Sequence, residues 1–226
     1  MTSRLIAALL LVTATLVLTP APVAEAAEPP IAAVVGDSYA AGWTATTRSQ
    51  ADAWWQHTAR NMGWQVTNVV ANPGAGYWTW GDYGTIYQAL AAHPIRPDTD
   101  FVLLQAGLND GNKDPERVVT SIADVRGLVR QQAPNATIIV IGMLVPGQQG
   151  MDPGRLNIAR RMGDYRAIAG DRYMIAAMCT FEVSSDGTHP TRLGHQQIGD
   201  WVAWHLANNL GGNGEPLRWN GSAYTV

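Results

Sequence analysis

Cysteine is nearly absent from this chain: Cys179 is the only one in 226 residues. One thiol excludes a disulfide within the chain, and its distance from the N-terminus excludes an N-terminal lipid anchor. It lies in an apolar run, the setting of a buried structural thiol rather than of a nucleophile, which needs an electropositive, exposed position. Charge is scarce too. Charged residues are 15% of the chain, the formal net charge is −3 and the isoelectric point is near 5.9. With no basic run, a nucleic-acid partner is excluded. No Gly-x-Gly-x-x-Gly follows the first apolar run and no His-Glu-x-x-His occurs, so the dinucleotide fingerprint and the zinc-protease helix are both missing. His195 and His205 have a spacing that suits no metal pair, His57 falls on the polar face of its helix, and His93 sits in a loop before Pro94. No metal or other cofactor is implied. Phenylalanine occurs twice against nine tryptophans, a bias that suits carbohydrate or lipid grooves as well as helix cores.

Long hydrophobic runs are confined to the start of the chain. Arg4, the apolar residues 5–18 and the small-x-small triplet Ala24-Glu25-Ala26 read as a secretory signal peptide spanning residues 1–26. No later run approaches the ~20 residues of a membrane span, so no transmembrane anchor is expected, and the protein is expected to be secreted to the medium or cell envelope. Residues 27–210 then form one domain, and the Gly-rich, aperiodic residues 211–226 form a C-terminal tail. Within the domain, short apolar or β-branched runs at 31–35, 65–71, 101–105, 137–143 and 173–179 predict five strands. Between them lie helical patterns. The first follows a capping signal at Ser49, with Ala51, Trp54, Trp55, Thr58, Ala59 and Met62 on one face. The second covers 83–92. The third opens at Asp114-Pro115, with Val118, Ile122, Val125 and Val129 inward, and the fourth at Asp152-Pro153. The last covers 192–210, with Ile198, Trp201, Val202 and Leu206 inward. Such alternation specifies an α/β fold, a parallel sheet with helices on both faces.

The polar motifs all follow strands, and so belong at one edge of that sheet, where open α/β proteins bind ligands. Gly36-Asp37-Ser38 ends the first apolar run. Asn72-Pro73-Gly74-Ala75-Gly76-Tyr77-Trp78-Thr79-Trp80 follows the second strand, and Gly107-Leu108-Asn109-Asp110 the third. Ser184-Ser185-Asp186-Gly187-Thr188-His189-Pro190 follows the fifth. A serine hydroxyl attacks an acyl carbon only when a base takes its proton. An imidazole does this near neutral pH, with a carboxylate to fix its tautomer. Asp186 and His189 supply that pair and Ser38 the nucleophile. The resulting oxyanion needs preorganised donors, for which the candidates are the backbone N–H groups of Ser38 and Gly76 and the side-chain amide of Asn109. Gly74 is an alternative to Gly76. Asp37 and Asp110 suit loop bracing rather than reaction. Trp78 and Trp80, which no helical period explains, are candidates to face a substrate, whereas Trp54 and Trp55 belong to a helix core.

These four stretches resemble, in order, the sequence blocks of the SGNH (GDSL-like) hydrolases, exported bacterial type. Gly36-Asp37-Ser38 corresponds to the nucleophile block, Gly76 to the glycine block, Gly107-Leu108-Asn109-Asp110 to the Gly-x-Asn-Asp block and Asp186-Gly187-Thr188-His189-Pro190 to the Asp-x-x-His block. Tyr39 replaces the leucine of the family's name. The resemblance implies a three-layer αβα, flavodoxin-like fold with a five-stranded parallel sheet. It also implies a Ser38–His189–Asp186 triad and an oxyanion hole of Ser38, Gly76 and Asn109. The expected activity is metal-free hydrolysis of carboxylic esters: lipid, small-molecule or acylated-carbohydrate substrates, acted on by a monomer. The alternatives are a cell-envelope polysaccharide acyltransferase or deacetylase with the same triad, and a non-catalytic sugar- or lipid-binding module.

Overall fold

The computed structural model describes residues 28–144, 172–174, 181–208, 218–219 and 224–225. The apolar run before Gly-Asp-Ser forms β1 (Ile31–Gly36), which is buried from Ala32 onward and has a parallel neighbour on each side. On one side lies β2 (Gln65–Ala71). On the other lie β3 (Phe101–Gln105), β4 (Thr137–Ile141) and β5 (Arg172–Met174), giving the order β2-β1-β3-β4-β5. Register aligns Val69, Val34, Leu103 and Ile139 across the sheet. Val34, Leu103 and Ile139 have no exposed surface, and each buried aliphatic side chain contributes about 1.5–3 kcal/mol by leaving water. Gly36 closes β1 because no side chain fits there. A Cβ would lie 2.5 Å from the Gln105 carbonyl of β3 and 2.8 Å from Ala40 Cβ.

This strand order creates the site. The chain moves one way from β1 to β2 and the other way from β2 to β3, so the segments leaving β1 and β3 diverge and open a crevice at their carboxyl ends. Right-handed crossovers then place α1 (Trp54–Met62) on one face and α2 (Ile86–Ala92) and α3 (Pro115–Gln132) on the other. The final helix, α4 (Arg192–Asn208), packs against α1, and α2 packs against α3. Gly199 makes the first of these contacts possible: a Cβ there would meet the Trp54 carbonyl at 2.3 Å, and Thr58 Oγ1 donates to the Gly199 carbonyl (3.1 Å). The architecture is the expected α/β, three-layer arrangement.

Several boundaries differ from the sequence reading, for local reasons. Ser49 caps a separate 3₁₀ turn, Gln50–Asp52, because Ala53 is extended (ψ 149°), and α1 begins only at Trp54. Trp54 and Trp55 are buried in the core as expected. α2 starts at Ile86 rather than residue 83. There Thr85 and Gln88 form a reciprocal capping box that fixes the first turn. β4 stops at Ile141. The expected signal peptide, the helix expected from Asp152-Pro153, residues 175–179 with Cys179, and most of the expected tail lie outside the described residues. Of the tail, Arg218–Trp219 and Tyr224–Thr225 pair antiparallel as β6 and β7.

Candidate active site

Ser38 stands two residues beyond β1 in a tightly wound turn. The Asp37 carbonyl accepts from the Ala41 N–H (3.1 Å) and the Ser38 carbonyl from the Trp43 N–H (3.1 Å). Trp55, from α1, ties the turn to the core by donating its indole N–H to the Ala40 carbonyl (2.9 Å). Ser38 is itself buried, and among the described residues its backbone N–H meets no acceptor.

The loop from Glu182 to Thr191 reaches the same crevice from the far end of the chain. Its two limbs are held together by the Ser184 N–H on the His189 carbonyl (2.8 Å), the Ser184 hydroxyl on the Pro190 carbonyl (2.9 Å) and the Thr191 N–H on the Glu182 carbonyl (3.0 Å). This clamp presents His189 to Ser38: Nε2 lies 3.0 Å from the Ser38 hydroxyl, and Nδ1 lies 2.7 Å from Asp186 Oδ2. Asp186 Oδ1 also accepts from the Thr188 and His189 N–H groups, both at 2.9 Å. Partial burial pushes the Asp186 carboxyl up. The Thr188 bond, the His189 ring and the His189 N–H outweigh it and hold the group below the ordinary carboxylate range. Asp186 is therefore ionised at neutral pH and keeps the Nδ1 proton facing itself, which leaves Nε2 free to accept from Ser38.

Two aromatic rings complete the setting of His189, and the sequence reading did not anticipate either. Tyr39 lies 5.9 Å from the imidazole centroid and donates its hydroxyl to the Thr188 carbonyl, tying the serine turn to the histidine loop. Trp43 lies 5.5 Å away on another side. Its carbonyl is held by Nε2 of buried His195 (2.9 Å), and Arg48 covers its ring at 3.9 Å. Burial lowers the pKa of His195, so it is a neutral packing residue on α4. The available signal was position: Tyr39 directly follows the serine, and Trp43 is one turn further on.

The loop after β2 is braced by Asp110. Its carboxylate accepts from the N–H groups of Tyr77 (2.7 Å), Trp78 (3.2 Å) and Thr79 (2.9 Å), and Thr79 Oγ1 lies within 2.8 Å. Gly76 permits this contact, since a Cβ would sit 2.2 Å from the Asp110 carboxylate, whereas Gly74 is a turn residue with φ 74°. Gly76 is the expected oxyanion donor of this loop. Its N–H bonds the Thr79 carbonyl (2.9 Å) and is committed to its own loop. The side chain of Asn109 does reach this region. One of its amide N–H bonds goes to the Ala75 carbonyl (2.8 Å), and the half-exposed amide keeps its second. Trp78 and Trp80 stand exposed at the loop's tip. Among the described residues no three His, Cys, Asp or Glu side chains gather to hold a metal ion.

Asp37 braces the serine turn from below, as the sequence suggested, and accepts from the Tyr39 N–H (2.9 Å). Complete burial raises its pKa to about 7, against the pull of the Tyr39 bond. A carboxyl with a raised folded pKa binds its proton more tightly in the folded state. Its contribution is therefore present at low pH, falls as pH climbs from about 4 to about 7, and is constant above that. Between pH 5 and pH 8 the loss is about 2–3 kcal/mol, at ~1.4 kcal/mol per unit. Urea unfolding at both values should show this slope in the wild type and a flatter one in Asp37→Asn. Equal slopes would show that Asp37 does not hold a proton near neutrality.

Comparison with known proteins identifies the family of this chain. Residues 34–197 match the GDSL-like Lipase/Acylhydrolase family. Over 199 residues, 80% of this chain and 83% of the relative, the sequence is 30% identical to the GDSL lipase Rv0518 of Mycobacterium tuberculosis. A family two carbohydrate esterase from Clostridium thermocellum, solved in complex with cellohexaose, is similar at 19% identity and a TM-score of 0.58. That match covers 81% of this chain and 66% of the esterase, so this chain spans just under two thirds of that protein. TesA (17% identity, TM-score 0.58, covering 80% of this chain and 99% of that one) is also similar. So is the M. smegmatis aryl esterase (16%, 0.61, 80% and 100%). At these identities the structural likeness is one of fold.

Proposed function

This chain belongs to the GDSL-like lipase/acylhydrolase family and is an ester-hydrolysing enzyme, and on that premise we propose that it is a secreted, monomeric serine esterase with Ser38, His189 and Asp186 as its triad. One observation carries the reading: the unbroken relay from Asp186 Oδ2 through both ring nitrogens of His189 to the Ser38 hydroxyl, at 2.7 and 3.0 Å. All three groups come from one chain. Secretion rests on Arg4, the apolar stretch after it and Ala24-Glu25-Ala26.

In this mechanism Ser38 Oγ attacks the ester carbonyl carbon while its proton passes to His189 Nε2. The imidazolium is stabilised by ionised Asp186. The Ser38 N–H and the free Asn109 N–H hold the oxyanion; the Gly76 N–H joins them only if the loop releases its bond to Thr79. As the tetrahedral intermediate collapses, the carbon–oxygen bond to the leaving alcohol breaks and His189 returns the proton to that alcohol. Water, deprotonated by His189, then attacks the acyl-Ser38 ester, releasing the carboxylic acid and restoring the serine. The substrates are carboxylic esters of lipid, short-acyl or acylated-carbohydrate type. Treating the mature protein with a fluorophosphonate, followed by intact mass and peptide mapping, should give one adduct, on Ser38. Folded protein that takes up no adduct, or takes it up elsewhere, would overturn the triad assignment.

A further inference from the structure

The loop after β2 carries an open groove of about 490 Å³ lined by Trp78, Thr79, Trp80, Thr85 and Lys113. Trp80 is 72% exposed and Trp78 44%, and Tyr83 and Tyr87, on the same stretch of chain, are exposed as well. Singly exposed aromatics are ordinary, but two exposed indoles lining one groove present apolar faces to the same space. One lining residue connects the groove to the candidate site. Thr79 lines it, and the Thr79 hydroxyl lies 2.9 Å from the carbonyl of Asn109, the residue assigned to the oxyanion.

The lining distinguishes among ester types. A slot for an acyl chain is apolar on all walls. Here the two indoles share the lining with two threonines, whose hydroxyls are engaged within the fold, and an ammonium; this mixed lining suits a sugar ring, which has an apolar face to stack and polar groups around its edge. Charge narrows it further. Lys113 is the only lysine in a chain of net charge −3, and among the described residues its ammonium has no carboxylate partner. Arg117 lies 5.3 Å from the Trp78 ring, and its ion pair to Asp114 is long (3.8 Å) and exposed. A cationic edge on an acidic protein is complementary to a carboxylate on the ligand.

We propose that this groove is a binding subsite for a polysaccharide carrying carboxylate groups, with Trp80 and Trp78 stacking on sugar rings and Lys113 pairing with a uronate. The inference rests on the esterase reading, and specifies that the ester cleaved at Ser38 belongs to an acylated acidic polysaccharide. Binding is measured without turnover, so the two can fail separately. The experiment is affinity electrophoresis and calorimetry of the mature protein with polygalacturonate, with neutral hydroxyethyl cellulose and with phosphatidylglycerol vesicles.

Polygalacturonate should bind, and more tightly than the neutral polymer. Trp80→Ala should weaken that binding roughly tenfold, the scale of one lost stacking partner. Lys113→Gln should weaken it about threefold at low salt and reduce its salt dependence. Trp204→Ala, a comparably exposed tryptophan on α4 (54% exposed), should bind as the wild type does, and Ser38→Ala should also bind normally. Unchanged binding in Trp80→Ala and Lys113→Gln would overturn the proposal, as would an equal preference for the neutral polymer. Binding to vesicles but not to polygalacturonate would assign the surface to lipid instead. A wild type that binds polygalacturonate yet takes no fluorophosphonate would leave the subsite standing and remove the Ser38 triad reading.

Discussion

Ser38→Ala should lower turnover of an activated ester on the order of 10⁶-fold, the loss seen when a triad nucleophile is removed, with little change in thermal stability. Among the described residues the hydroxyl being deleted has one side-chain partner, His189 Nε2. His189 is partly exposed, so after the substitution water can satisfy Nε2 and no buried polar group is orphaned. The turn itself is held by backbone bonds from Ala41 and Trp43 and by the Trp55 indole, none of which involves Oγ. The residual rate should still exceed that of water alone, because the Ser38 N–H and the Asn109 amide remain. His189→Ala should cost a similar factor, and the double variant little more than either single one, since nucleophile and base act as one unit. Steady-state kinetics on a p-nitrophenyl ester, with a melting curve for each variant, decides the matter. Losses that multiplied in the double variant would show that the two residues do not act as one unit. A Ser38→Ala protein retaining near-normal turnover would sink the mechanism.

The site was legible in the sequence wherever its chemistry is carried by a short contiguous motif after a strand. Gly36-Asp37-Ser38 and Asp186-Gly187-Thr188-His189 each need only a tight turn to present their groups, and the strand alternation already placed both turns at one sheet edge. The burial of Trp54 and Trp55 followed from helical period in the same way. Gly76 shows where this kind of reading stops. Its presence was legible but its N–H partner was not, because that bond depends on how the loop curls back to Thr79. Tyr39 and Trp43 were missed for a related reason. Their value lies in contacts with Thr188, His189 and His195, about 150 positions away, and nothing in local pattern encodes such a contact. Helix starts shifted where a local cap outcompeted periodicity, as at Thr85. In physical terms, strand and motif identity are local properties, while donor allocation and ring packing are tertiary ones.

Asp110→Ala should be the most damaging single substitution for stability in the site, and should reduce catalysis through position rather than chemistry. The buried Asp110 carboxylate is the common acceptor for three consecutive backbone N–H groups, and the Thr79 hydroxyl shares its proton between Asp110 Oδ1 and the Asn109 carbonyl. Burial raises the pKa of Asp110 while these bonds pull it down, so the group is paid for only in the fully bonded arrangement. Removing it strands donors that cost about 1–3 kcal/mol each when buried and unpaired. With loop relaxation, the net loss should be on the order of 4 kcal/mol, at the upper end for single substitutions. Thr79→Val removes only the hydroxyl and should cost about 1 kcal/mol. Because the same loop carries the Ala75 carbonyl that orients Asn109, the surviving folded Asp110→Ala protein should lose kcat more than it raises KM, the signature of a misplaced oxyanion donor. Urea unfolding gives the first quantity and steady-state kinetics at low temperature the second. If Asp110→Ala were no less stable than Thr79→Val, the brace would not be what holds this loop. If it were destabilised but kept its kcat, the placement of Asn109 would be independent of Asp110, and the coupling between the β2 and β3 loops argued from these hydrogen bonds would be wrong.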